Sequence, residues 1–328
     1  MKLQKIRILS IFDGIGGARQ ALKELDIDCD YYASEIDPYA IQIAKANHPD
    51  IGHIGDVNNL FTDYTGALPW KILRWGECGD MAYTDCRDGI FDLLIGGFPC
   101  QSFSIAGNKK GFEDERGNLF FELLRILKEV KPKYFLFENV ASMSKANKDF
   151  ITEKLGVEPI MINSNLVTAQ NRKRLYFTNI PDIKQPEDKK IFLKDILQDL
   201  RDLPKSIIYR NKSNCLRVGG RSSPFGSKQI WNSPYMTQIA RGYNKGGIKA
   251  IDGKTPTLSS HSFQHNNHIV QDHTKRRLSV KEACRLQGYP DSYCDIVSKS
   301  QAFKVLGNSF TVPVIKHILR SINPNDSL

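Results

Sequence analysis

The sequence predicts an α/β fold: a parallel sheet with helices on both faces, joined to a smaller loop-rich domain. Three observations predict it. Strand-like and helix-like segments alternate from residue 6 to 180, the β-α-β order of a parallel sheet. A glycine turn, Phe12-Asp13-Gly14-Ile15-Gly16-Gly17, follows the first apolar run and opens the first helix. Between residues 203 and 271 periodicity weakens and Gly, Ser, Asn, Lys and Arg take over.

In chain order, Ile6–Phe12 is a β-rich run, and Ala18, Leu22 and Leu25 then recur at helical spacing. Tyr31–Ser34 is a second strand. Pro38 opens a helix through Ile41 and Ala44, because proline suits the first helical position. A third strand ends at Gly55-Asp56-Val57, and Phe91–Ile95 is a fourth. Residues 57–90 carry no readable role and are expected to be an elaborated surface connection. Leu119–Val130 has a helical apolar pattern, Tyr134–Phe137 is a strand running into Glu138, and Pro159–Ile162 and Leu175–Ile180 are later strands. Ser279-Val280-Lys281-Glu282 is a capping box before another helix, and Val312-Pro313 opens a last one. The expected division is 1–180, then a segment 181–272, then a return to the first domain over 273–328.

Composition narrows the class. The 328 residues carry a net charge of +10, which favours a polyanionic partner. Residues 203–271 hold ten Lys and Arg against one acid, Asp252, so nearly all of that charge sits there. Such a one-sided block suits a phosphate backbone, and a long loop-rich segment is often functional. The seven cysteines are odd in number and include no Cys-x-x-Cys pair, so a reducing compartment is expected and no metal is assigned. His261, His265, His268 and His273 cluster only loosely, without a zinc motif. Asp13 interrupts the apolar N-terminal run and no run reaches bilayer length. A soluble, cytoplasmic protein follows.

Pro99-Cys100 is the strongest local signal. Phe91-Asp92-Leu93-Leu94-Ile95-Gly96-Gly97-Phe98 delivers a cysteine to the carboxyl end of a strand, where open α/β sheets place their chemistry. A cysteine alone is more often a small buried hydrophobe, and no histidine motif completes a protease pair. The glycine turn is followed about twenty residues later by Glu35, where a carboxylate takes ribose hydroxyls. Asp56 could accept from an adenine amino group. Glycines and carboxylates without a cationic phosphate clamp suit a nucleoside lacking phosphates, and S-adenosylmethionine fits.

Several blocks then align with one family in its order. They are Phe12–Gly17, Glu35, Asp56, Gly97-Phe98-Pro99-Cys100-Gln101, Gly111–Glu122, Glu138-Asn139-Val140, Gln170-Asn171-Arg172-Lys173-Arg174, Arg277–Gly288 and Gly307-Asn308-Ser309. On these residues the chain resembles the cytosine-5 DNA methyltransferases of prokaryotic and phage type. The resemblance implies a Rossmann-like S-adenosylmethionine-dependent methyltransferase sheet, with 181–272 as a small target recognition domain.

It implies Cys100 as nucleophile, Glu138 as the acid at the cytosine ring, and the paired arginines Arg172 and Arg174, with Arg174 on the base carbonyl. The cofactor set is Phe12, Asp13, Gly14, Ile15, Gly16, Gly17, Glu35, Ile36, Asp56, Val57, Pro99, Asn308 and Ser309. Gln101, Ser102 and Ser104 of a closing loop, with Arg217, Arg221, Arg241, Lys245 and Thr257, are the expected DNA contacts. Ile36 stands where many relatives place an aromatic, and Asp13 where they more often place a small residue. The implied partner is double-stranded DNA bound by a monomer, with a cognate restriction endonuclease as a functional partner and S-adenosylhomocysteine as product. The same chemistry on RNA, and a catalytically dead DNA-binding homologue, are the rival readings.

Overall fold

The computed structural model describes residues 5–62, 71–75, 81–85, 91–98, 118–203, 235–238, 247–248, 254–258, 268–271 and 274–322. The chain divides into two compact units. One is Met1–Asn163 with Lys173–Pro186 and Ser309–Leu328; the other is Ser164–Arg172 with Glu187–Asn308.

In chain order the elements begin with β1 (Ile6–Ile11), α1 (Gly17–Lys23), β2 (Cys29–Ser34), α2 (Pro38–Asn47) and β3 (Gly52–Gly55). Then come β4 (Leu60–Thr62), β5 (Lys71–Trp75), β6 (Met81–Asp85), β7 (Leu93–Gly96), α3 (Asn118–Val130) and β8 (Tyr134–Val140). α4 (Lys145–Leu155), β9 (Ile160–Asn163), β10 (Lys173–Thr178), α5 (Leu193–Ile196), β11 (Tyr235–Gln238) and β12 (Gly247–Ile248) follow. β13 (His268–Gln271), β14 (Thr274–Arg277), α6 (Val280–Gln287), α7 (Lys299–Asn308) and α8 (Val312–Leu319) complete the order.

A seven-stranded sheet ordered β3-β2-β1-β7-β8-β10-β9 frames the first unit. β1 pairs in parallel with β2 and β7, β2 with β3, and β7 with β8. The chain therefore leaves β1 towards one edge and returns to β7 on β1's other side. That reversal opens a crevice at the carboxyl ends of β1 and β7, the place where such sheets bind ligands. Gly96 lets the two strands meet there: a Cβ would stand 2.6 Å from the Ile11 carbonyl oxygen and 2.9 Å from Ile11 Cγ1. Buried Leu9, Ile11, Leu94 and Phe137 of the sheet pack with Phe120, Leu123 and Ile126 of α3, the apolar stripe read from the sequence.

Helix starts follow local chemistry. Asp37 caps α2 by accepting from the Tyr39 and Ala40 N–H groups, with Pro38 in the first turn. Ser279 and Glu282 exchange the two bonds of the capping box at α6, an arrangement that satisfies two otherwise orphan N–H groups. α8 packs against α1, and Lys316 pairs with Glu24 across them at 3.1 Å.

The sheet is mixed, where the pattern of apolar runs predicts a wholly parallel one. β10 runs antiparallel to both β8 and β9. Only residues 164–172 join β9 to β10, whereas a parallel crossover needs about a dozen residues or more. The stretch expected to be a surface connection forms a three-stranded antiparallel sheet, β4-β5-β6. In the second unit the loop-rich segment contributes to an antiparallel sheet ordered β12-β11-β13-β14. Among the described residues no helix is long and apolar enough to cross a membrane.

Candidate active site

The carboxyl edge of the parallel strands in the first unit is built from backbone first. After β1 the chain turns through Phe12, Gly14 and Gly16, all with positive φ (56°, 64° and 78°). Glycine adopts that conformation freely and Phe12 does not, so the turn is held in place from outside. The Gly14 N–H donates to Glu35 Oε2 at 2.7 Å, and the Asp13 N–H donates to the Ser34 carbonyl at 3.1 Å. Glu35 Oε1 accepts from the Ile36 and Asp37 N–H groups at 2.7 and 2.8 Å. Three backbone donors orient this carboxylate, and its oxygens retain lone pairs for ribose hydroxyls.

Asp13 lies beneath the turn, 3% exposed. Its Oδ1 accepts from the Ser10 and Tyr31 hydroxyls, each at 2.6 Å. Burial pushes its carboxyl up to about 6, reinforced by the charge of Glu35 and opposed by hydrogen bonds from Ser10, Tyr31 and the Gly16 N–H. Ile15 and Val57 are also buried. Asp13, Ile15 and Val57 thus offer little side-chain surface to solvent. Gly17 is buried at the start of α1. Asp56 follows β3, and Oδ1 accepts from both the N–H and the amide Nδ2 of Asn58 at 2.9 and 3.0 Å. Both bonds fall on one oxygen, which leaves Oδ2 to accept from an amino group. Ile36 is 70% exposed beside Glu35, an apolar side chain placed where a planar base could lie. Space above the turn is open: a Cβ on Gly14 would meet nothing within 4 Å. Acids, a bare turn and an apolar contact fit a nucleoside with no phosphate. Ser309, in the same unit, is buried, while Asn308 is exposed at the end of α7 in the other unit.

On the other side of β7 stands a second group. Arg174 Nε lies 2.7 Å from Glu138 Oε1, both side chains 13% exposed. The register explains the meeting. Arg174 sits opposite Val140 and Tyr176 opposite Glu138, so an antiparallel β10 brings its first residues to the carboxyl half of β8. A parallel strand would carry Arg174 to the far edge. Gly97 keeps the approach clear, since a Cβ there would come within 3.5 Å of Glu138 Oε2 and 3.2 Å of the Phe310 ring. Asn139 is fully buried and its Nδ2 donates to the Phe98 carbonyl at 3.3 Å. It thereby anchors the chain just ahead of Pro99 and Cys100. Those two residues, with Gln101, Ser102 and Ser104, lie outside the described residues, as do Arg217, Arg221, Arg241 and Lys245.

The paired arginines have different surroundings. Arg172 belongs to the second unit, is 2% exposed, and gives Nη1 to the carbonyls of Leu258 and Gly307, each at 3.1 Å. Arg172 Nη1 is thus held by backbone carbonyls of its own unit, where the resemblance implies a catalytic guanidinium. The aligned block that begins at Gln170 is docked against Thr255–Leu258, the segment that carries the expected DNA contact Thr257. Thr255 donates its N–H to the Ala169 carbonyl at 2.7 Å, and Asn171 donates to the Thr255 carbonyl at 2.8 Å. Gln170 Oε1 accepts from the Leu258 N–H, and Thr257 Oγ1 donates to the Asn171 carbonyl at 2.6 Å. Of the four loosely clustered histidines only His268 is described, buried on β13.

Sequence reasoning passed over Ser10, Tyr31 and Asn139 as functional residues. The first two carry no local signal, because their relation to Asp13 arises only when β1 and β2 pair. Asn139 had one, its place beside Glu138.

A sequence profile for C-5 cytosine-specific DNA methylase matches residues 6–324. Type II methyltransferase M.NlaX of Neisseria lactamica is 31% identical over 95% of this chain and 94% of its own. Type II methyltransferase M.HhaI of Haemophilus parahaemolyticus is 30% identical over 98% and 95%. Among solved structures, a putative DNA modification methyltransferase encoded within an E. coli prophage superposes with a TM-score of 0.65 at 21% identity, covering 97% of this chain and 98% of that one. The S. pombe Dnmt2 methyltransferase gives 0.61 at 18% identity, over 97% and 100%. Both share the fold.

Proposed function

The chain belongs to the C-5 cytosine-specific DNA methylase family, and from that premise we propose that it moves the methyl group of S-adenosylmethionine to C5 of a flipped cytosine in duplex DNA through a covalent bond between Cys100 and C6. The observation that carries this reading is the Glu138–Arg174 pair, 2.7 Å apart and close in the chain's fold to the strand that leads to Cys100. A carboxyl and a guanidinium side by side match the edge of a cytosine, with the acid at N3 and the exocyclic amine and the cation at O2.

Cytosine C5 is a poor nucleophile. Addition of the Cys100 thiolate to C6 forms the S–C6 bond and shifts an electron pair towards C5. Negative charge builds on the ring, and a proton from Glu138 at N3 with Arg174 at O2 stabilises it where it develops. S-adenosylmethionine, when bound, would supply an electrophilic methyl group, so that a C5–CH3 bond would form as the S–CH3 bond breaks to leave S-adenosylhomocysteine. C5 then loses its proton to water, the S–C6 bond breaks with its electron pair returning to the Cys100 thiolate, and N3 gives its proton back to Glu138. Glu35 would hold the ribose, Asp56 the adenine amino group, and Ile36 a face of the base. The turn Phe12–Gly17 and Ser309 complete that side. Asn139 holds the chain before Pro99 through its bond to the Phe98 carbonyl, and the target base is flipped out of the duplex to be reached.

Residues 181–272 serve target recognition and 1–180 with 273–328 serve catalysis, although 164–172 and 273–308 belong to the second compact unit. The likeness to type II methyltransferases supports a restriction-modification role; a cytoplasmic monomer with a cognate endonuclease as functional partner completes the proposal. Methylation assays with duplex DNA and tRNA in competition, followed by bisulfite sequencing, test the reading. Transfer to cytosines in one DNA word is expected; transfer to tRNA alone would move the substrate to RNA.

A further inference from the structure

Asp13 carries an oxygen that the fold leaves unsatisfied. Its carboxyl lies buried beneath the turn after β1. Oδ1 accepts from the Ser10 hydroxyl on β1 and the Tyr31 hydroxyl on β2, each at 2.6 Å. Oδ2 is buried and makes no hydrogen bond of good geometry among the described residues. Neither charge state is therefore well served. The carboxylate lacks a close donor at Oδ2, and the neutral acid would carry its proton there with no acceptor. A group balanced in this way responds to a change in the local field.

The groups that face it come from each neighbouring element. Ser10, Tyr31 and the Gly16 N–H at the start of α1 favour the charged form, and Glu35 after β2 opposes it by like charge. None of these partners is a cation. Tyr31 is itself pushed up by burial and by Asp13, so it stays a neutral donor. Cys29, pushed up to about 11 by burial, is neutral as well. Arg19 of α1 acts on Tyr31, and its guanidinium is taken by Asp50 at 2.7 Å.

We propose that Asp13 is a charge-sensing residue of the cofactor site: its ionised carboxyl favours the sulfonium cation of S-adenosylmethionine over the uncharged thioether of S-adenosylhomocysteine, and so weights the site towards fresh cofactor. The proposal rests on the reading above that the turn and Glu35 hold this cofactor. The two molecules differ by one methyl group and one positive charge, and a buried carboxyl with no cation of its own distinguishes them by charge. Burial pushes that carboxyl up to about 6, so the preference strengthens as pH rises through that value. A bound cation stabilises the carboxylate, so binding releases protons from Asp13.

Full-length wild type, Asp13→Asn and Tyr31→Phe test this by calorimetry, with S-adenosylmethionine and S-adenosylhomocysteine as probes from pH 5 to pH 7.5. The ratio of the two affinities cancels groups that treat both molecules alike. In the wild type the preference for S-adenosylmethionine should rise about threefold to tenfold over that range, the scale of one unit charge felt between protein and water dielectrics. In buffers of different ionisation enthalpy at pH 6, S-adenosylmethionine should release about a third of a proton more than S-adenosylhomocysteine does. Asp13→Asn keeps an acceptor for Ser10 and Tyr31 but cannot ionise, so its ratio should be flat and its excess proton release nil. Tyr31→Phe removes a donor that favours the charged form. Its ratio should rise at higher pH than in the wild type, which decides the matter if the asparagine variant does not fold.

A flat wild-type ratio, a rise kept in Asp13→Asn, or an unmoved rise in Tyr31→Phe would each overturn the proposal and leave the cofactor reading standing. A wild type that binds neither molecule would overturn the cofactor reading itself, and the proposal with it.

Discussion

Arg174 Nε stands 2.7 Å from Glu138 Oε1 because β10 runs against β8. The pair is a product of strand direction: the first residues of one strand meet the last half of another. Each group orients the other before a base arrives, which is the condition for stabilising charge without reorganisation at the moment of reaction.

Arg174→Ala is therefore expected to lower kcat by about 100-fold to 1000-fold, the cost of removing one preorganised donor. Glu138→Gln should lose at least as much. Cofactor binding should be unchanged in both, since the turn Phe12–Gly17 and Glu35 lie on other strands. Single-turnover rates with calorimetric cofactor affinities check this. A fall in affinity with kcat intact would place the pair in the cofactor site.

Asp13 makes stability depend on pH. Its pKa rises from 3.8 to about 6 on folding, so between those values the folded state binds more protons than the unfolded one. The favourable contribution is complete below about pH 4 and is lost as pH rises through about 6, leaving an ionised buried carboxylate that costs roughly 3 kcal/mol. Asp13→Asn removes that slope while keeping an acceptor for Ser10 and Tyr31. Urea unfolding of both proteins at pH 5 and pH 8 should show the wild type losing stability relative to the variant at the higher pH. Equal changes in the two would mean that Asp13 does not ionise in this range.

The basic block predicts a steep salt dependence of DNA binding. Neutralising Lys212, Lys228, Lys245 and Lys249 together should reduce the slope of log affinity against log salt by up to about one unit per phosphate contact removed. Fluorescence anisotropy across a salt series measures it. An unaltered slope would remove the segment from the DNA interface.

Much of the first unit was legible because its signals are local. Glycines with positive φ mark the turn after β1, Pro38 and Ser279 mark helix starts, and continuous apolar runs mark buried parallel strands. Glu35 was read by its distance from that turn, and Asp56 by its place at the end of an expected strand. What escaped depends on pairing across the chain. Apolar runs do not encode strand direction, so the antiparallel β10 was hidden. α4 shows only Ile151 and Leu155 as buried residues, too sparse a stripe to read. β12 spans only Gly247–Ile248, and no periodicity emerges from so short a strand. Lys254 looked like one more surface charge, because nothing near it in sequence announces the carbonyls of Asn165, Thr168 and Ile191 that hold it. The resemblance paired Arg172 with Arg174, yet Arg174 Nε meets a carboxylate while Arg172 Nη1 meets backbone carbonyls.

The central claim is that Cys100 adds to C6 of cytosine, and duplex DNA carrying 5-fluorocytosine in the methylated word tests it most directly. Fluorine at C5 blocks the final elimination, so with cofactor present the wild type should form a denaturation-resistant protein–DNA adduct that maps to Cys100 by mass spectrometry. Cys100→Ser should bind the same DNA and form none. An adduct in the serine variant, or methyl transfer by that variant at the wild-type rate, would contradict the account.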